Sequence, residues 1–375
     1  MYTLLTCVHK SVIIGQMNGF DPKVPYNSLP LVPPALEKYE SIAIWKQESA
    51  ARAAIFELKG IANIIPNQSI LINAIILQES KDSSEIENII TTKDKLYQAL
   101  SSTKAIDSET KEVMYYREAL TAGWRRLKEH GYISINDIVE IQKILVKNDA
   151  GIRKAPGTRL VNDKTGEIMY SPPDEPEVIN GLLKNFTEYL NNKETSLIKM
   201  SILHYQFESI HPFYDGNGRS GRIINVLYLL LKDYLEIPIL YLSSYIIRNK
   251  SEYYRLLRSI TKCDEWEEWI IFILKGIEET AKETIKKVKK IKGLLDETIE
   301  YIRMKEPKIY SKELVEILFE NPYCKVGFLV NGLKIERKTA SVYLHRLSEI
   351  GILELRKVGR ENIFINSDLM NILKM

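Results

Sequence analysis

Cysteine is scarce: three in 375 residues, Cys7, Cys263 and Cys324, odd in number and far apart. That excludes a disulfide scaffold and a cysteine-ligated metal centre, and it fits a reduced, cytoplasmic setting. An excess of one charge is also lacking, since 52 basic residues face 49 acidic ones for a formal net of +3. No global field draws such a chain to nucleic acid or to a membrane, and any binding patch must be local. No apolar run reaches the ~18 residues of a membrane span. The opening MYTLLTCVHKSVIIGQ has neither the basic lead nor the small-residue cleavage site of a signal peptide, and it reads as part of the fold. What is present is an ordinary globular composition, 45% hydrophobic and 27% charged, long enough for two or three cores.

Strand patterns are few and helical periodicity dominates. After a proline-rich extended lead-in, Asn27 to Glu37, apolar residues at helical spacing predict a helix from Tyr39 to Lys59 that stops at Gly60. Further helices are expected over Gln68–Leu77, Lys111–His130, Ile135–Val146, Glu177–Leu190, Thr195–Ile210 and Arg219–Tyr234, and through SEYYRLLRSI and EWEEWIIFILKGIEETAKETIKKVKK. One β-prone stretch, Gly157 to Pro173, flanks a polar turn at Asn162–Gly166. The other, Ile352 to Asn366, is a hairpin pattern with Gly359 at its tip. Three short helical patterns precede that hairpin, which is the order of a winged helix-turn-helix. The lysine-rich run Lys282–Lys292 reads as a solvated helix leading into it.

The chemistry is concentrated in HPFYDGNGRSGR, His211 to Arg222. A core helix with Leu203, Phe207 and Ile210 on one face delivers His211, and Pro212 ends it. Gly216-Asn217-Gly218 lets successive amides converge, and a nest of amides where Arg219 opens a helix is an anion site. Arg219 and Arg222, three apart, can each take a phosphate oxygen. Asp215 suits a Mg²⁺ that also touches phosphates, and a histidine, titrating near neutrality, can take the proton of an attacking hydroxyl. The constellation reads as phosphoryl or nucleotidyl transfer from a magnesium–nucleotide to a hydroxyl. A plain helix-loop-helix corner would explain any one of these residues, but packing requires neither the spacing nor the mixture.

This string matches without a gap the motif H-P-F-x-[D/E]-G-N-G-R-x-x-R, and the chain resembles the Fic (Fic/Doc) family, mostly AMP transferases acting on protein hydroxyls. The resemblance implies a mainly α Fic fold with a β-hairpin flap, followed by a C-terminal winged helix-turn-helix. It divides the chain into an N-terminal helical region with an inhibitory motif (1–110), a catalytic core (111–280), and a linker helix with the winged helix (281–375). His211 would be the general base and Asp215 the magnesium ligand. Gly216, Asn217, Gly218, Arg219, Ser220, Gly221 and Arg222 would bind the phosphates of ATP, with Phe213 buried as an anchor. Gly157–Pro173 resembles the flap, where Ile168, Met169 and Tyr170 would hold a target segment by adding a strand. In YLSSYIIRNKSEYYRLL, Asn249 is a candidate for a polar contact to the nucleoside and Tyr253 for a ring against the base, although tyrosines at helical spacing are more often core.

Upstream, Ser83, Glu87 and Asn88 fit the family's inhibitory pattern [S/T]-x-x-x-E-[G/N], which implies that Glu87 pairs with Arg222 and keeps the γ-phosphate from its productive place. Ser84-x-x-Glu87 also fits a capping box at a helix start. Asn88, where many members carry glycine, could cap the inhibitory helix in a left-handed conformation. In the C-terminal module, Arg337–Leu347 with Arg356, Lys357 and Arg360 would touch DNA, but interleaved glutamates dilute the field and such modules also serve protein docking or dimerisation. The expected activity is a self-restrained protein adenylyltransferase using ATP and Mg²⁺, able to modify itself. The expected partners are a target protein at the flap, with a homodimer or DNA as further options and no membrane. The alternatives are AMP removal or another phosphoryl or nucleotidyl transfer at the same site, and a nucleotide-sensing DNA-binding regulator.

Overall fold

The protein is represented by a computed structural model that describes residues 20–101, 106–162, 165–358 and 361–374. The opening segment with Cys7, the turn residues Asp163 and Lys164, and Gly359 and Arg360 of the C-terminal hairpin lie outside the described residues.

Helix α1 (Ile42–Ala62) follows the lead-in, then α2 (Ser69–Ile86), α3 (Lys93–Ser101), α4 (Ser108–His130) and α5 (Ile135–Val146). A small hairpin, β1 (Leu160–Val161) and β2 (Ile168–Tyr170), precedes α6 (Pro176–Asn191), α7 (Leu197–Ile210) and α8 (Asn217–Leu231). Next come α9 (Leu242–Arg248), α10 (Lys250–Cys263) and the long α11 (Trp266–Lys305). The chain closes with α12 (Lys312–Glu320), β3 (Tyr323–Cys324), α13 (Val326–Leu333), α14 (Arg337–Glu349), β4 (Glu354–Val358), β5 (Glu361–Ile365) and α15 (Ser367–Lys374). The mainly α expectation holds. Among the described residues no helix is long and apolar enough to cross a membrane.

Two compact units emerge. The first joins the described residues up to Arg52 with Ala122–Leu231 and Arg248–Gly276. Its centre is α7, on which every residue but Glu208 is buried, polar ones included, as befits a helix enclosed on all sides. Helices α6 and α8 pack on it, and α5 packs on α8. A capping box starts α5: the Ser134 hydroxyl accepts from the Asp137 amide while the Asp137 carboxylate accepts from the Ser134 amide. The proline-rich lead-in is held by side chains, since its prolines lack donors: Asn185 exchanges two 2.9 Å hydrogen bonds with the Val32 backbone, and Gln206 donates to the Pro30 carbonyl.

The second unit gathers Ala53–Thr121, Lys232–Ile247 and the chain from Ile277 onward. Here α12 packs on α2, and β3, β5 and β4 form an antiparallel sheet in that order, with Leu355 opposite Phe364. The expected helices and hairpin are present, joined by the short strand β3, which carries no alternation long enough to be seen.

Three expectations need correction. Helix α1 does not stop at Gly60 but runs on to Ala62, since a glycine in an open helix interior costs only about 1 kcal/mol. Helix α2 continues past Leu77 to Ile86, so Ser84 lies in its last turn and does not cap a helix start. The lysine-rich run is not wholly solvated either: Ile285, Val288 and Ile291 form a buried face, and Lys287, 7% exposed, lies over the Tyr241 ring at 5.0 Å.

Candidate functional site

His211 is placed by the way α7 ends. Its backbone is left-handed (φ 47°, ψ 58°) and its amide donates to the Phe207 carbonyl at 3.1 Å, closing the last turn before Pro212 diverts the chain. A left-handed non-glycine residue is uncommon and is held here by its surroundings. Arg153, which sequence reasoning missed, does much of the holding. It is fully buried; its Nε donates to the His211 carbonyl at 2.7 Å, and its Nη2 to the carbonyls of Ile210 and Pro173. Its own amide donates to the Pro212 carbonyl at 2.9 Å, and Ile152 bridges Phe213, which is fully buried. Burial pushes the Arg153 guanidinium below its ordinary pKa, and Asp174 partly offsets this. No sequence period signals such a residue, because its partners are the carbonyls of a helix end far along the chain.

The loop from Pro212 to Gly216 is tied from several sides. Asn217 accepts from the Phe213 amide and donates to the Phe213 carbonyl, both at 2.8 Å. Its side chain therefore closes the loop. Gln142 donates to the Asp215 carbonyl at 3.1 Å, and the Tyr214 hydroxyl accepts from the amides of Lys154 and Ala155. Those two amides hold the Tyr214 phenol below its ordinary pKa.

Gly216 turns the chain with φ +79°, and a Cβ there would lie 2.9 Å from Val146 Cγ1. Helix α8 then begins at Asn217, two residues before the expected Arg219. Its internal bonding opens with the Ser220 amide on the Gly216 carbonyl, so the amides of Asn217 and Gly218 precede the helical ladder at the positive end of the dipole. Asp215 is 68% exposed at this mouth, with Oδ1 accepting from the Gly216 amide at 2.6 Å and 3.4 Å from Arg219 Nη2. Arg219 and Arg222 are buried, 3% and 2% exposed. Ser220, fully buried, and Gly221 face inward: a Cβ on Gly221 would lie 2.9 Å from Glu208 Oε1 and 3.0 Å from Phe207 Cδ1. The lack of a side chain at Gly221 thus allows the close crossing of α7 and α8.

His204 lies about two turns before His211 and was also missed. It is 1% exposed, stacks on Trp269, and its Nε2 meets the Tyr253 hydroxyl at 3.0 Å. Burial, aided by the Arg222 charge, lowers its pKa to about 3, so it stays neutral. Tyr253 is 1% exposed among Trp269, Phe272 and Tyr254. It is core, and the expectation of a ring against a nucleobase gives way to that. Asn249 is half-buried immediately before α10.

In the hairpin, Leu160 pairs with Tyr170 and Val161 with Ile168, with a shift of register between them. Tyr170 is buried, its hydroxyl donating to the Ser209 carbonyl at 2.8 Å, so it anchors the hairpin to the last turn of α7 and its side chain is not offered to a partner. Ile168 and Met169 are half-buried. Glu87 and Asn88 belong to the second unit and are exposed, whereas Ser83 is buried. Asn88 takes φ 62° and donates to the Glu85 carbonyl, while Ile89 donates to Ser84, both at 3.0 Å. This doubly bonded left-handed end fixes Glu87 at the C-terminus of α2.

Among the described residues there is no group of three or more His, Cys, Asp or Glu that could hold a metal ion. A single exposed carboxylate beside an anion-binding turn fits a Mg²⁺ that arrives with nucleotide phosphates.

Comparisons with known proteins agree with the geometry. Residues 132–229 match the Fic/DOC family, 45–125 the Fic/DOC family N-terminal domain, and 294–369 the C-terminal domain of SoFic-like protein adenylyltransferases. A probable protein adenylyltransferase of Aquifex aeolicus is 27% identical over 281 residues, 72% of this chain and 79% of the relative. The protein adenylyltransferase fic-1 of Caenorhabditis elegans is 29% identical over 134 residues, 35% of this chain, and the match spans only 24% of that relative's length. Among solved structures, a Fic family protein from Desulfovibrio desulfuricans G20 superposes with a TM-score of 0.57 at 18% identity, covering 89% of this chain and 98% of the other. A C. elegans Fic-1 fragment gives 0.50 at 21% identity, covering 66% and 74%.

Proposed function

The chain belongs to the Fic/DOC family, and we accordingly propose that it is a protein adenylyltransferase, moving AMP from ATP to a Tyr, Thr or Ser hydroxyl of a target protein. The observation that carries this is one turn of chain: His211 at the closed end of α7, then Gly216 and the leading amides of α8, with Arg219 and Arg222 behind them. In the reaction His211 takes the hydroxyl proton as the oxygen bonds to the α-phosphorus. The bond from that phosphorus to the bridging oxygen breaks, and pyrophosphate leaves. Asp215 would hold a Mg²⁺ brought by the nucleotide, and the ion would supply neutralisation of phosphate charge. The amides and arginines stabilise charge where it develops, and Arg153 keeps the histidine's backbone in place.

Restraint by Glu87 is part of the same proposal: Glu87 takes Arg222 and so denies it to the γ-phosphate. What supports it is the fit of Ser83, Glu87 and Asn88 to the inhibitory pattern and the rigid end of α2 that carries Glu87. A displaced arginine misplaces the α-phosphate, and about 1 Å of misplacement costs roughly 100-fold. DNA binding by the C-terminal module gains no support, since Arg346 pairs with Glu306 at 3.1 Å and Arg356 with Glu354 at 3.2 Å. The test is labelling of the protein and of a lysate with ATP radioactive at the α-phosphate. His211→Ala abolishes labelling and Glu87→Gly raises it; equal labelling by wild type and both variants would overturn the scheme.

A further inference from the structure

The second unit holds a cleft of about 250 Å³ that the proposed transfer reaction does not use. Elements α2, α3, α4, α12 and α13 contribute to it. Its walls include the rings of Tyr97, Phe319 and Phe328 and also carry Arg117, Glu320 and Asn73.

The two charges are unusual in their pairing. Arg117 donates to Asn73 Oδ1 at 3.0 Å and, among the described residues, reaches no carboxylate. Burial lowers its pKa, and the neighbouring Tyr97 phenol offsets this only in part. Glu320 accepts from Asn67 Nδ2 at 2.6 Å and, among the described residues, reaches no cation. By contrast Glu316, one turn earlier on α12, pairs with Lys312 at 3.4 Å. Charges withdrawn from water are normally kept in place by a partner, because an unpaired one is costly. Here a half-buried guanidinium and a half-buried carboxylate line one cleft, and among the described residues neither meets its opposite.

We propose that this cleft binds a free α-amino acid with a large apolar or aromatic side chain. The Arg117 fork takes the carboxylate, Glu320 takes the ammonium, and the rings of Tyr97, Phe319 and Phe328 take the side chain. The volume suits a ligand smaller than the usual drug-sized occupant. A polyanion such as a nucleotide is disfavoured, since Glu320 would face its phosphates.

The test is calorimetric titration of the full-length protein with L-phenylalanine, L-tyrosine, L-leucine and L-methionine, beside phenylacetate and phenethylamine, which each keep one of the two charges. The expected result is saturable one-site binding of at least one of the amino acids, with phenylacetate and phenethylamine each weaker by about tenfold or more. Arg117→Gln and Glu320→Gln, both able to keep a hydrogen bond to their asparagine, weaken binding by about tenfold or more while melting like wild type without ligand. Failure of all four amino acids to bind overturns the proposal. So does undiminished binding by both variants, or binding of a single-charge analogue as tight as that of the amino acids. Because wild-type protein with the analogues decides the charge requirement, the outcome stands even if a variant does not fold, and labelling by His211→Ala has no bearing on it.

Discussion

Arg153 shows how much of a catalytic histidine's geometry is set by a residue outside its motif. The left-handed backbone at His211 is strained, and three carbonyls around it, those of Ile210, His211 and Pro173, converge on one guanidinium. Removing that donor leaves buried carbonyls unpaired. Arg153→Met is therefore expected to lower stability by about 2–3 kcal/mol and to cut AMP labelling more than it cuts ATP binding. Arg153→Lys, keeping a charge and a shorter reach, should restore part of both. Denaturant unfolding and ATP titration alongside labelling check this, and a variant with full stability and full labelling would show the contact to be idle.

At the scale of elements, the turn between α7 and α8 depends on Gly216. Its φ of +79° disfavours any L side chain, and the space a Cβ needs is taken by Val146 at 2.9 Å and Leu145 at 3.2 Å. Gly216→Ala is expected to destabilise the first unit by about 1–3 kcal/mol and to reduce ATP affinity, because the amides of Asn217 and Gly218 move with the turn. Thermal unfolding and nucleotide titration report the two effects separately. The sequence made the helices of this region legible, since Leu203, Phe207 and Ile210 recur at the right period, and it made the motif legible because charge, glycine and histidine stood together where packing needs none of them. Side-chain direction was not legible. Asn217, Ser220 and Gly221 sit inside the motif yet face the loop or the α7–α8 crossing, and Tyr253 and Tyr170 each bury a ring whose hydroxyl finds an internal partner. Those outcomes depend on tertiary neighbours, as do the roles of Arg153 and His204, whose contacts no local period encodes.

For the molecule as a whole, a buried base and a half-buried one shape the dependence of stability on pH, one in each unit. His204 has its pKa lowered to about 3 from an ordinary 6.5 by burial and Arg222. The unfolded chain binds the extra proton between those values, so stability is complete above about pH 6.5 and is lost as pH falls toward 3. Lys93, donating to the Leu373 carbonyl, is lowered to about 8 from 10.5 by burial and by the Lys287 charge. Its sign is the same but its window is alkaline: the folded state carries the burden of a disfavoured charge below about pH 8, and that burden lifts as pH rises toward 10.5. Lys93→Met is thus expected to stabilise the protein at pH 7 by about 1–2 kcal/mol, after discounting for the partly wet ammonium, with the gain fading by pH 10.5. His204→Gln should be less stable than wild type at pH 7, with the gap narrowing by about 2–3 kcal/mol on going to pH 4. Unfolding in denaturant across pH 4 to 10.5 measures both. Curves for variants and wild type that run parallel over the whole range would mean that neither base is held away from its ordinary pKa in the folded chain.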